Sequence, residues 1–299
     1  MSKWRMGENF DKLIDRAEVL VEALPYLQEF RGKTMVVKYG GSAMDDPELV
    51  DAVLRDIVFL ENVGINPVVV HGGGKAISSK MKAAGLEARF VGGLRVTDEE
   101  SISIVSETLN KTVNPGIVEK IRAHGGRAES FKGQDLIQAR KKAPVEVNGK
   151  QEDLGFVGDV TGCRVLRLVD CIHEETVPVI SPLGCDEFDN VLNVNADTAA
   201  AEIGAGLEAS KIIYLSDVNG ILRDPGDPST RIPTVTSQDV AFLSKEGVIS
   251  GGMLPKVESC LKALTQGVGK VHLIDGRIPH ALLLELLTDQ GIGTEMVIS

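Results

Sequence analysis

Lysine and glycine occur together at three places in the chain, a pairing that suits the handling of phosphate. Lys38-Tyr39-Gly40-Gly41-Ser42 follows the apolar run TMVVK, and His71-Gly72-Gly73-Gly74-Lys75 closes the run PVVVH. Glycine at a strand end lets backbone N–H groups approach an anion with no side chain in the way. A helix starting after Gly74 adds the partial positive charge of its N-terminus. Two such strand ends suit two anions or one long phosphorylated ligand; the alternative is a pair of ordinary tight turns. Lys38 ends a buried run, where an unpaired ammonium costs several kcal/mol, so it needs a counter-charge or an anionic ligand. Lys256 follows Gly251-Gly252-Met253-Leu254-Pro255 in the first turn of an expected helix, where a cation opposes the helix dipole. It is either a solvated surface lysine or a second working cation. Asn193-Val194-Asn195-Ala196-Asp197 opens another helix with Asn195 as its cap. Asp197 either favours that helix terminus or orients lysines. Ser216-Asp217-Val218-Asn219-Gly220 is a further polar strand end.

Other phosphate motifs fail on particular residues. A Walker loop ending at Gly74-Lys75 needs glycine at Val69 and serine or threonine at Ala76. Gly204-Ala205-Gly206-Leu207-Glu208-Ala209 imitates a dinucleotide fingerprint, but it ends a helix and precedes a strand, the reverse of the real motif. The cysteines, Cys163, Cys171, Cys185 and Cys260, form no C-x-x-C pair, so they read as small buried thiols, and no protein metal site is expected.

The elements that must position these residues alternate between strand and helix. The chain has 299 residues, 43% hydrophobic and 25% charged, enough for a large core and too apolar for disorder. Its net charge of −11 disfavours a broad nucleic-acid interface, so any phosphate cradle must be local. No apolar run reaches the roughly 18 residues of a membrane span, and the acidic N-terminus is no secretory signal; a cytoplasmic protein is expected. Residues 8–30 follow a helical apolar pattern through Phe10, Leu13, Ile14, Ala17, Leu20, Val21 and Leu24, interrupted at Pro25. A stripe outside the core calls for a partner such as another subunit, with Trp4, Phe10 and Tyr26 as candidate contacts. Strands are expected at 34–38, 67–71, 127–131, 177–181, 211–216 and 270–274. Helices are expected at 47–63, 98–124 (with Pro115 a potential break), 196–206, 253–266 and 279–288. Asn148-Gly149 suits a hairpin turn, so 133–166 reads as a β-hairpin flap. Runs apolar on both faces imply a parallel sheet covered by helices. The expected fold is therefore α/β: a three-layer αβα sandwich with a mostly parallel central sheet, a hairpin flap and an extra N-terminal helix.

VVKYGGSAM, VVVHGGGKAI, GLRVTDEE, NVNADTAAAE, YLSDVNGIL, GGMLPKVES and the ending GIGTEM occur in this order over essentially the whole chain. Together they resemble the amino-acid kinase family. HGGG followed by GLRVT and NVNAD resembles its acetylglutamate branch rather than its carbamate, aspartate or glutamate 5-kinase branches. The resemblance implies ATP-dependent phosphorylation of the γ-carboxylate of N-acetyl-L-glutamate in arginine biosynthesis, with Mg²⁺ held mainly by the nucleotide phosphates. It implies that Lys38 and Lys256 stabilise the transferring group and that Asp197 holds both. Gly73 and Gly74 present N–H groups to phosphate and substrate, Arg95 grips a substrate carboxylate, and Asn193 binds the α-substituents. Nucleotide contacts are implied at Gly40, Gly41, Asp217, Gly220, Leu222, Ile249, Ser250 and Gly252. The flap falls where the family places a hairpin beside the substrate.

Arginine-inhibited members of the branch resemble this chain in their extra N-terminal helix, which interlaces dimers into a hexameric ring. An inhibitory arginine site is implied at Lys211, His272, Glu285 and Gly291. Residues 1–30 are then an oligomerisation helix and 31–299 the kinase domain, with an acetylglutamate lobe at 31–190 and an ATP-binding and regulatory lobe at 191–299. The acidic surface neither requires nor excludes a nitrogen-signalling regulator docked on such a ring. The rival readings are another kinase of this fold, for carbamate or aspartate, or a non-catalytic arginine or nucleotide sensor. Retention of Lys38, Asp197 and Lys256 argues against the sensor.

Overall fold

The computed structural model describes residues 8–147 and 149–299. Trp4 and Asn148, named above as a subunit contact and half of a turn, lie outside these residues. The chain enters through α1 (Glu8–Glu22) and α2 (Leu24–Phe30). Pro25 starts a new helix rather than kinking one, because its missing N–H costs nothing in a first turn. α1 exposes Phe10, Leu13, Ile14, Val19, Leu20 and Val21, whereas Phe30 of α2 is buried. The Tyr26 hydroxyl donates to Asp289, so this residue helps dock α2 on its own chain.

β1 (Thr34–Tyr39), α3 (Pro47–Asn62), β2 (Asn66–His71) and α4 (Gly74–Ala83) follow the expected rhythm. Asp46 caps α3 ahead of Pro47 by accepting from Glu48 N. A hairpin, β3 (Phe90–Val91) and β4 (Leu94–Arg95), turns on Gly92 and Gly93, whose φ values of 56° and 80° both lie in the left-handed region a tight two-residue hairpin turn requires. α5 (Glu99–Thr108), capped by Asp98, runs through a π-turn at Leu109–Val113 into α6 (Asn114–Ala123). Pro115 therefore does not end the helical path, because it sits in the first turn after the wider π segment.

The rest of the chain supplies β5 (Ala128–Phe131), β6 (Ile137–Lys141), β7 (Val145–Val147), β8 (Lys150–Glu152), β9 (Val157–Cys163) and α7 (Leu166–His173). β10 (Val177–Ile180), β11 (Leu183–Cys185), β12 (Val191–Val194), α8 (Ala196–Gly206) and β13 (Lys211–Ser216) follow. The chain ends with β14 (Thr234–Thr236), α9 (Asp239–Lys245), α10 (Met253–Thr265), β15 (Lys270–Asp275), α11 (Ala281–Leu286) and β16 (Thr294–Val297).

Eight strands form the central sheet in the order β14-β16-β15-β13-β1-β2-β10-β5, parallel except for the β15–β16 pair. Side chains of β1 alternate across it. Met35, Val37 and Tyr39 pack with α3, α6 and α11, while Val36 packs with α8 and α10 on the other face. Covered faces explain why these strands are apolar throughout. β1 pairs with β13, so residues 31–190 and 191–299 share one sheet rather than two. The segment 133–166 is more than a flap. β7 and β8 do form a hairpin, but β6 and β9 close a four-stranded barrel with β11 and β12. Gly204 serves packing: a Cβ there would lie 2.5 Å from Ile212. Cys171 and Cys260 are buried, while Cys163 and Cys185 are half-buried, and all are free. No helix of the described residues is long and apolar enough to cross a membrane.

Candidate active site

The C-terminal ends of β1 and β2 lie side by side, with Lys38 opposite Val70 and Tyr39 opposite His71. Both glycine loops therefore leave the sheet together. Gly72 N donates to Tyr39 O at 2.7 Å. Gly40 and Gly72 approach so closely that a Cβ on either would come within 3.4 Å of the other's Cα. A side chain at either position would be crowded, whereas a Cβ on Gly41 or Gly74 would meet nothing within 4 Å.

β13 lies on the other side of β1, with Tyr214 opposite Lys38. α8 starts nearby, and Asn195 caps it by accepting from Asp197 N at 2.8 Å and Thr198 N at 3.2 Å. This cap holds Asp197 in the first turn, where both lysines reach it. Lys256 Nζ donates to Asp197 Oδ2 at 2.8 Å. Lys38 Nζ stands 3.0 Å from Oδ1, an ion-pair distance that engages at most one of its three protons and leaves the others for another acceptor. Burial alone would raise the Asp197 pKa; the two ammonium groups more than reverse this and hold it at about 2. Two cations on one carboxylate leave a surplus positive charge for an anion.

A cavity of about 870 Å³ opens over these strand ends, lined by Lys38, Gly41, the Gly72–Gly74 loop, Arg95 and Asp217. A smaller one of about 170 Å³ shares the loop and Arg95 and reaches Asn193. Arg95 is buried and donates to Gly74 O at 2.9 Å and Ser78 Oγ at 2.8 Å, with its guanidinium 4.7 Å from the centre of the Phe90 ring. It has no carboxylate partner among the described residues, and burial pulls its pKa down. A buried cation in that state favours an anionic ligand. Asn193 Nδ2 donates to Thr97 Oγ1 at 3.1 Å, which donates to Arg95 O at 3.0 Å. The Asn193 carboxamide is thereby fixed, with its oxygen free to accept.

The amino acid kinase family model matches residues 33–275. An acetylglutamate kinase of Akkermansia muciniphila is 50% identical over 98% of this chain and 99% of its own length. The chain belongs to the amino acid kinase family. Another relative, the acetylglutamate kinase of Heliobacterium modesticaldum, is 48% identical over 95% of this chain and 98% of its own. Among solved structures, the N-acetylglutamate synthase of Neisseria gonorrhoeae with coenzyme A and N-acetyl-glutamate superposes with a TM-score of 0.82 at 26% identity. That match covers 94% of this chain and 63% of the synthase. The same synthase with coenzyme A and L-arginine gives a TM-score of 0.76 at 25% identity, covering 94% and 65%.

Within this family fold the expected residues divide. Lys38, Gly41, Gly73, Gly74, Arg95 and Asp217 line the large cavity, and Asn193 lines the small one. Lys256 and Asp197 join through their ion pairs. Gly40 lies behind, pinned against Gly72. Gly220, Leu222, Ile249, Ser250 and Gly252 line neither cavity. The Ile249 side chain is in the core, and Gly220 is a packing glycine whose Cβ would lie 2.5 Å from Thr294 Oγ1. The hairpin beside the cavities is β3–β4, through Phe90 and Arg95; β7–β8 reaches neither. Sequence reasoning missed Ser78, Phe90, Thr97 and Lys120. Ser78 carried a signal, since it lies four residues from Gly74 on the same helix face. Lys120 carried none, because only the packing of α6 brings it to the cavity.

A separate cavity of about 370 Å³ brings together Lys211, His272, Glu285 and Gly291, with Tyr26 and Phe30 of α2 on its wall. His272 bridges Lys211 Nζ at 3.1 Å and Glu285 Oε1 at 2.6 Å. Glu285 Oε2 accepts from Ile292 N at 2.7 Å and Gly293 N at 2.9 Å. Burial raises the Glu285 pKa, but His272 and these N–H groups bring it below its ordinary value. Lys211 Nζ lies 5.1 Å from the centre of the Phe30 ring, and burial pulls its pKa down.

Proposed function

We propose that the protein transfers the γ-phosphoryl group of ATP to the γ-carboxylate of N-acetyl-L-glutamate. The observation that carries this reading is the single, largely enclosed Asp197 carboxylate, 15% exposed, shared by Lys38 and Lys256 beside two glycine loops. The acceptor is already ionised, so no general base is needed, and catalysis rests on alignment and neutralisation of charge. Lys38 turns its free protons to the transferring phosphoryl oxygens, and Lys256 meets the same group from the other lobe. Asp197 fixes both ammonium groups and accepts no proton during transfer. Gly41, Gly73 and Gly74 offer backbone N–H donors to the phosphoryl and carboxylate oxygens. Arg95 pairs with a carboxylate of the acceptor, and Asn193 Oδ1 accepts from its acetamido N–H.

The nucleotide reaches from Asp217 along the β13 end towards the loop before α10. Among the described residues no cluster of three metal-ligating side chains exists. Of the cavity carboxylates, Asp45 pairs with Lys75 and Asp217 is exposed, so Mg²⁺ would be held mainly by the nucleotide phosphates, with Asp217 available to it. Bound there, Mg²⁺ supplies further charge neutralisation.

The separate cavity accepts free arginine as an inhibitor, its guanidinium facing Glu285. Because α2 forms part of that wall, the N-terminal helices couple occupancy to oligomer geometry, with α1 exposed to join dimers into a hexamer. Inhibition requires that arginine bind one state of the ring more tightly than the other.

The test measures ADP formation from Mg-ATP with N-acetyl-L-glutamate, glutamate, aspartate and carbamate, each with and without arginine. Turnover confined to N-acetyl-L-glutamate and suppressed by arginine is expected. Unsuppressed turnover discards the arginine site, and no turnover with any acceptor refutes the kinase reading.

A further inference from the structure

His71 ends β2 directly before the three glycines and is fully buried. No step of the proposed transfer uses it, yet both of its ring nitrogens are engaged. Nδ1 lies 2.7 Å from Gly72 O, and Nε2 lies 3.1 Å from Asn114 Nδ2. Asn114 Nδ2 also lies 2.8 Å from Val179 O. These contacts determine where the protons are. A carbonyl oxygen only accepts, so the Asn114 atom facing Val179 O must be the NH₂ group. That NH₂ also faces Nε2, so Nε2 must accept. The ring proton then sits on Nδ1 and is donated to Gly72 O. Burial keeps the ring neutral at physiological pH, pulling its pKa down to about 4.

Asn114 reaches this position because of the π-turn at Leu109–Val113. Removing the extra residue of that turn would rotate Asn114 by roughly 100° around the helix, away from β2. Asn114 Oδ1 is buried without a partner, so the residue is poorly suited to stability alone.

Gly72 is held at both ends, its N–H by Tyr39 O and its C=O by His71. In a trans peptide the N–H of Gly73 points opposite to the C=O of Gly72. Gly73 N has no acceptor among the described residues and belongs to a loop that lines both cavities. Between two glycines this peptide plane could otherwise turn over at little steric cost.

We propose that His71 is a positioning residue: with Asn114 setting its tautomer, it locks the Gly72–Gly73 peptide so that the Gly73 N–H is aimed in advance at the anion in the cavity. The proposal rests on the phosphoryl-transfer reading and adds residues that do not touch the ligand.

The test compares wild type, His71→Leu, His71→Asn and Asn114→Leu by steady-state kinetics with Mg-ATP and N-acetyl-L-glutamate, with thermal melts on each. His71→Asn places an amide N–H close to where Nδ1–H stood. His71→Leu is expected to lower kcat more than tenfold with KM for the acceptor changed less than threefold, and His71→Asn to restore kcat to within about threefold of wild type. A purely structural role would lower Tm in both variants and leave kcat of the folded protein unchanged, which overturns the proposal. If His71→Leu does not fold cooperatively, Asn114→Leu takes its place with the same expected loss. A side-chain ¹⁵N spectrum of the wild type reads the tautomer without any turnover. Protonated Nδ1 on His71 is expected, and protonated Nε2 overturns the proposal. Wild type inactive on every acceptor defeats the phosphoryl-transfer reading and this role with it; an active wild type with an equally active His71→Leu defeats this role alone.

Discussion

Replacing Asp197 with asparagine keeps the shape of the side chain and removes the charge that Lys38 and Lys256 share. Both contacts are nearly dry, with lysine side chains 12% and 15% exposed, so solvent screens little of the interaction. A carboxyl held at about 2 instead of 3.8 corresponds to about 2.5 kcal/mol of stability at neutral pH. Asp197→Asn should therefore lower stability by about that amount, or Tm by roughly 5 °C in a protein of this size. The sign with pH follows from a depressed native pKa. The contribution is complete well above the unfolded value near 4, shrinks to about half by pH 3, and is lost as pH falls through about 2. The Tm gap between wild type and variant should close along that course.

Turnover should fall more steeply than stability. Two ammonium groups without their common anchor repel each other, and displacement of a reacting group by about 1 Å costs on the order of 10² in rate. The assay is ADP release at saturating substrates, paired with melts from pH 7 down to pH 3. A variant with kcat within threefold of wild type and an unchanged Tm would refute the claim that Asp197 anchors the lysines. A Tm gap that persists undiminished at pH 3 would refute its electrostatic origin.

Lys38→Ala and Lys256→Ala should each lower turnover by roughly two orders of magnitude or more, and near-normal kcat in either removes that lysine from the mechanism. Glu285→Gln should abolish arginine inhibition while leaving uninhibited kcat unchanged, read from arginine titrations at fixed substrate; full sensitivity in this variant would detach arginine from that cavity. Deleting residues 1–30 removes the exposed α1 stripe together with Tyr26 and Phe30, so light scattering should show dispersal of the oligomer and kinetics a weakened inhibition. A truncated protein that stays assembled and fully sensitive would be incompatible with both roles.

What was legible in the sequence was local. Apolar runs such as TMVVK and PVVVH announce strands because a covered sheet needs both faces apolar. Glycines after them announce loops open to an anion, and Asn195 announces a helix start. These signals depend on neighbours a few residues apart, where backbone sterics and side-chain period act directly. Longer-range features escaped. The segment 133–166 looked like a flap because Asn148-Gly149 marks a turn, while the barrel needs partners from 183–194 that no local pattern encodes. β14 and β16 are short strands whose pairing is set by the sheet edge beside β15. The resemblance paired Asp197 with both lysines and grouped Lys211, His272, Glu285 and Gly291, but no spacing in the chain required either grouping.

By itself, the sequence determined an α/β chain with a cationic, glycine-rich phosphate chemistry, because glycine, lysine and apolar period carry that information residue by residue. Only the tertiary structure decided that the Asp197 carboxylate meets two lysines, that the β3–β4 hairpin rather than β7–β8 lies beside the cavities, and that Asn114 meets the ring of His71. Those arrangements exist because strand order places β1 between β2 and β13 and because a π-turn rotates one asparagine inward, and both depend on packing between segments far apart in the chain.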